Sequence, residues 1–94
     1  MEPIDDQSRP GLAPGVRLQT DAVTGDAVLL YPEGVMTLNP TAFEVVSHCD
    51  GKASVAEIVS TLADEYAADA ATLQVDVVEA LAELRARKLV LLRT

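Results

Sequence analysis

The segment LLYPEGVMTLNP, residues 29–40, limits the fold most tightly, because it sets a hairpin turn and a helix start within one short stretch. Tyr31-Pro32-Glu33-Gly34 has proline at the second turn position and glycine at the fourth. That pattern suits a type I turn followed by a left-handed glycine, the device of three-residue hairpin loops. Asn39-Pro40 then offers an N-cap side chain and a proline at the first helical position, where its missing N–H costs nothing. Residues 35–38 are thereby confined to one short strand that returns from the turn and stops before a helix.

The flanking sequence extends this pattern in both directions. Upstream, Val16, Leu18 and Thr20 alternate with Arg17 and Gln19, which suits a strand with one wet face, and DAVTGD at 21–26 is a glycine-bearing turn. With residues 28–31 as the next strand, short connections predict a three-stranded antiparallel meander with 28–31 in the middle. Downstream, Ala42, Phe43, Val46 and Cys49 recur at helical spacing until Asp50-Gly51, predicting a helix of about ten residues. Ser54-Val55-Ala56-Glu57 is a capping box, and Val55, Ile58, Val59, Leu62 and Tyr66 line one face behind it. Leu73, Val77, Ala80, Leu81 and Leu84 mark a third helix, and LVLL at 89–92 is an apolar tail able to pack back on the sheet. The expected fold is α+β and winged helix-turn-helix-like, a three-stranded antiparallel sheet followed by three helices. Residues 1–14, with three prolines and no period, read as a flexible arm, and residues 15–94 as a single domain.

Composition narrows the function. Ninety-four residues that are 49% hydrophobic are enough for one folded core and too few for two. Fifteen carboxylates against seven Lys and Arg leave a charge of −8, which repels phosphate chains. A winged-helix DNA-binding regulator is the alternative function to weigh, but its third helix would present Asp76 and Glu79 where a groove reader needs Arg, Lys, Asn or Gln. Arg85, Arg87, Lys88 and Arg93 gather near the C-terminus, where cations also complement a helix end. A lone Cys49 and the absence of an export signal imply a reducing cytoplasm, and no apolar run approaches the roughly 18 residues of a membrane span.

Chemistry-bearing residues are sparse. His48 and Cys49 are helix neighbours about 100° apart with no second His or Cys to complete a ligand set, so neither a metal site nor an activated nucleophile is expected. Asp64, Glu65 and Asp69 read as a solvated face, and the five glycines stand singly, so no phosphate loop is present. No catalytic residue emerges. The strand at 35–38 is a different case, because it is an edge of the meander and contains neither charge nor proline. Edges are normally blunted, since their unpaired N–H and C=O groups recruit other chains. Either the C-terminal tail or a second copy covers this one, or it stands open to accept a peptide strand beside an apolar groove on the third helix. Such an edge is compatible with a monomer and with a strand-paired or swapped homodimer.

SRPGLAPGVRLQTD at 8–21, LLYPEGVMTLNPTA at 29–42, DGKASVAEIVSTL at 50–62 and DVVEALAEL at 76–84 resemble, in order and over essentially the whole chain, the PqqD family of pyrroloquinoline quinone (PQQ) biosynthesis. The resemblance implies a non-catalytic recognition element for ribosomally made, modified peptides (RiPPs). Such a peptide chaperone binds the precursor peptide PqqA and presents it to the radical-SAM enzyme PqqE. It implies no cofactor on this chain, S-adenosylmethionine and iron-sulfur clusters belonging to the partner enzyme. The peptide is expected to add as a strand beside Val35, Met36, Thr37 and Leu38, with Leu73, Val77, Ala80, Leu81 and Leu84 as candidate helix contacts. Arg85, Arg87 and Lys88 are candidates to orient an acidic peptide.

Overall fold

The computed structural model describes residues 3–93; Met1, Glu2 and Thr94, and with them the start of the expected arm, lie outside the described residues. The elements run β1 (Arg9–Leu12), β2 (Arg17–Thr20), β3 (Ala27–Tyr31), β4 (Gly34–Thr37), α1 (Pro40–Ser47), α2 (Val55–Tyr66), α3 (Ala70–Ala86) and β5 (Val90–Arg93). β2, β3 and β4 form the expected antiparallel meander with β3 central. The three helices follow it, as the winged-helix-like reading requires. One side of the sheet and the inner faces of the helices share a core that includes Leu29, Val45, Ile58, Val77, Leu81 and Leu84. It is aliphatic, and Phe43 and Tyr31 only flank it.

Local signals account for most boundaries. The Asn39 side chain accepts from the Ala42 amide at 2.7 Å, with Pro40 opening α1. The capping box of α2 is complete: Ser54 Oγ accepts from the Glu57 amide (3.2 Å) and Glu57 Oε1 from the Ser54 amide (3.1 Å). Two predictions need correction. α1 has 8 residues; the chain tightens at its end, with the Cys49 amide bonded to the Val46 carbonyl three residues back. In the hairpin, Tyr31 pairs with Gly34, so the loop is Pro32-Glu33 alone. Gly34 is a member of the ladder and does not adopt a positive φ.

The larger correction concerns the ends of the chain. Within residues 1–14, expected as a mobile arm, Arg9–Leu12 pairs antiparallel with Val90–Arg93, Leu12 facing Val90. The apolar tail therefore completes a separate two-stranded sheet and leaves the meander alone. Backbone donors explain the order upstream of β1. The first amides of a helix have no partner within it, and in α2 the Val55 amide donates to the Ser8 carbonyl (2.8 Å) and that of Ala56 to Asp6 (3.2 Å). Ser8 is buried, its hydroxyl accepting from the Asp5 amide at 3.1 Å. Prolines and glycines suggested an arm because none of these partners is near in sequence.

Two left-handed residues complete the closure. Gly51 (φ 77°) lets its amide reach the Pro10 carbonyl at 2.9 Å, while a Cβ on Gly11 would stand 3.2 Å from the Gly51 backbone. At the end of α3, Lys88 (φ 63°) turns the chain so that its own amide bonds Arg85 O (2.9 Å) and that of Leu89 bonds Leu84 O (3.0 Å). This is a Schellman motif whose left-handed position carries lysine where glycine is usual. Gly51→Ala should lower stability by about 1–2 kcal/mol and Lys88→Gly should raise it, by up to a similar amount, read from urea midpoints at unchanged slope. Equal midpoints in both variants would refute the conformational account.

Cys49 belongs to this framework rather than to any reactive site. Its thiol donates to the Val45 carbonyl at 3.2 Å, and burial, reinforced by the neighbouring Asp50 carboxylate, pushes its pKa from 9.0 up to about 12. Below pH 9.0 the thiol is protonated in both folded and unfolded chain; between there and about 12 only the unfolded chain ionises, so stability falls as pH rises through that window. At about pH 8 the native protein should resist a thiol-labelling reagent and react fully once denatured. Rapid labelling of the native chain would contradict the buried assignment.

Candidate functional site

β4 is the outer strand of its sheet, and among the described residues no strand pairs with its far side. The register fixes which backbone groups it offers. The Leu38 amide donates to Ala27 O at 2.9 Å, toward β3, and Met36 lies opposite Leu29 in the same phase. In an antiparallel ladder the intervening residues turn the other way. Val35 and Thr37 thus direct their N–H and C=O groups outward, away from β3, where an incoming strand can take them. Side chains alternate between the two faces: Met36 and Leu38 lie half-buried and buried on the helix side, while Val35 is 58% exposed on the other.

Beside this edge a cleft of about 700 Å³ opens between β4 and α3. Met36, Thr37 and Leu38 form its strand wall, Asn39, Thr41 and Ala42 its end, and Asp76, Glu79, Ala80, Glu83 and Leu84 its helix wall. A smaller apolar pocket of about 220 Å³ shares Thr41 with it and is lined by Pro40, Glu44, Leu62, Tyr66, Leu73 and Val77. Of the candidate contacts, Met36, Thr37, Leu38, Ala80 and Leu84 thus meet in the cleft, and Leu73 and Val77 meet in the pocket beside it. Leu81 lines neither and is wholly buried in the core. Val35 can contribute through its backbone.

Sequence reasoning weighed Asp76 and Glu79 only against a DNA-binding role and did not assign them, or Glu83, to the peptide groove. Asp76, Glu79 and Glu83 recur at helical spacing beside Ala80, a signal available once Ala80 is assigned to the groove instead of the core. Of the cations named as candidates to orient a peptide, neither Arg85, Arg87 nor Lys88 lines the cleft. Arg87 instead pairs with Glu83 at 3.4 Å, one turn back on α3. These three residues follow directly on the cleft-lining turns of α3, Arg85 being next to Leu84.

His48 meets Glu44, one turn back, and Glu65, which the sequence does not place near it. Glu44 on α1, His48 at the C-cap of α1 and Glu65 on α2 bring one potential ligand atom each to within 4.8 Å of one another. These are the residues among those described that could together approach a cation; Cys49 takes no part. Glu44 also lies beside the Tyr66 phenol and is the first cause raising its pKa above the ordinary range. Of this group only Glu44 lines the small apolar pocket, together with Tyr66.

Comparison with known proteins gives one consistent family. Residues 26–90 match the family model described as coenzyme PQQ synthesis protein D, PqqD. The chain is 43% identical over 89 residues to a protein named PqqA binding protein from Xanthomonas oryzae pv. oryzae (strain KACC10331 / KXO85), covering 95% of this chain and 97% of that one. In structure it is similar to the PqqD truncation of Methylobacterium extorquens PqqCD, solved by solution NMR and described as a functional, stand-alone RiPP recognition element. The TM-score is 0.77 at 35% identity, over 87% of each chain. It is similar also to the crystal structure of PqqD from Xanthomonas campestris, with a TM-score of 0.57 at 41% identity over 90% of this chain and 94% of that one.

Proposed function

The chain belongs to the PqqD family, and from that premise we propose that it binds the precursor peptide PqqA by strand addition to β4 and presents it to the radical-SAM enzyme PqqE in PQQ biosynthesis. The observation that carries this reading is the unpaired outer edge of β4, where Val35 and Thr37 turn their backbone groups outward, next to a cleft whose strand wall is Met36, Thr37 and Leu38. Backbone pairing supplies affinity with little demand on sequence, each hydrogen bond contributing about 0.5–1.5 kcal/mol net. Met36, Leu38, Ala80 and Leu84 supply the apolar floor against which every second peptide side chain can pack.

The role is one of holding, with the cross-linking chemistry and its S-adenosylmethionine and iron-sulfur clusters on PqqE and no cofactor on this chain. Cys49 as a buried, protonated thiol supports that division. A DNA-binding role is disfavoured by the carboxylates on the exposed face of α3, which would confront phosphates. No helix among the described residues is long and apolar enough to cross a membrane, and in this reading the protein works in the cytoplasm, where the lone Cys49 stays reduced. The monomer is the working form in this reading, because a second copy paired on β4 would occupy the docking edge.

Titrating isotopically labelled protein with PqqA should shift amides of residues 35–38 and 76–84 together. Thr37→Pro removes an outward donor that the fold does not use and should weaken binding about three- to tenfold, whereas Thr37→Ala should bind nearly as the parent does. Unchanged affinity in a folded Thr37→Pro variant would place the peptide elsewhere.

A further inference from the structure

We propose that the cleft selects a cationic strand: the peptide segment paired with β4 carries Lys or Arg at alternate positions, aimed at Asp76 and Glu79 of α3. This rests on the peptide-binding reading and adds to it the chemical class of the bound segment. The cleft is lined by three carboxylates, Asp76, Glu79 and Glu83, and by no Lys or Arg. Glu83 is shared with Arg87 at 3.4 Å, whereas among the described residues Asp76 and Glu79 have no ion-pair partner. Both are exposed, so their charge is available to a ligand at the cleft mouth.

Geometry favours more than one contact. Asp76 and Glu79 are three residues apart, about 4.5 Å along a helix axis, and like-facing residues of an extended strand repeat every ~6.8 Å. Lys and Arg have stems long enough to span the difference while covering the floor made by Met36, Ala80 and Leu84. The same carboxylates argue against the other occupants. An acidic segment would be repelled, and two copies paired edge to edge through β4 would bring two acidic rims together with no cation on either strand. The net charge of −8 adds a long-range field that attracts a cationic partner.

The test measures binding of PqqA, and of versions with its Lys and Arg changed to Gln or Glu, to the parent protein and to Asp76→Asn/Glu79→Gln and Asp76→Lys/Glu79→Lys variants. Asp64→Asn, outside the cleft, is the control. Binding of PqqA should weaken about five- to tenfold in the neutral double variant at about 0.1 M salt. The difference should vanish near 1 M, as the screening length falls from about 10 to about 3 Å. The Glu-bearing peptide should bind the parent poorly and recover on the Lys variant, an exchange that a change in fold alone would not produce. If PqqA binds parent and neutral variant equally at every salt, or the exchange fails, the cationic selection is overturned while peptide binding stands. If PqqA does not bind the parent at all, the peptide-binding reading itself is overturned and this inference with it.

Discussion

The pairing of β1 with β5 is the constraint on which the rest of the molecule depends. It joins the two ends of the described chain, and each end does a second task. The segment before β1 lends the Ser8 and Asp6 carbonyls to the first amides of α2, while β5 begins directly after the left-handed Lys88 closes α3. The Ala13 amide bonds the Leu89 carbonyl at 2.9 Å, so the strand and the helix end are tied at one point. α3 is in this way held at its C-terminal end by backbone bonds and along its length by Val77, Leu81 and Leu84 in the core. Without that anchorage nothing would fix the distance between α3 and β4, and the cleft between them is defined by that distance.

α3 serves two surfaces with one sequence. Its buried stripe faces the core, and the adjoining turn positions Asp76, Glu79, Ala80 and Glu83 face the cleft. The opposing wall is equally economical. β4 spends one set of backbone groups on β3 and leaves the alternate set, at Val35 and Thr37, facing outward. A sheet edge of this kind is ordinarily a hazard, because it accepts any strand. Here the acidic helix beside it restricts which strand can lie down, so backbone pairing can supply affinity while side-chain charge supplies choice.

Elements governed by near neighbours were legible in the sequence. Asn39-Pro40 and Ser54 to Glu57 announce helix starts because the bonds that define them lie within four residues, and the alternation about Leu18 and the short turns suffice for the meander. Misreadings fall where partners are distant or degenerate. Residues 9–12 look like loose chain until residues 90–93 arrive to pair with them. Leu81 and Ala80 share the same helical period, and only the position of β4 separates a core residue from a groove residue. Arg87, named in the sequence for its charge, is paired in the fold with Glu83 one turn back, a relation that composition does not rank.

Sequence alone therefore determined the order of the meander and the three helices, the bare strand at 35–38 and the family, since propensity, capping and turn chemistry act over a few residues and motifs persist as text. Only tertiary structure decided that β5 closes on β1 instead of covering β4, that Thr37 rather than Met36 faces outward, and that the groove is acidic. Each of those outcomes depends on which distant segment satisfies a backbone group or removes an apolar surface from water, and that competition is resolved by the whole chain at once.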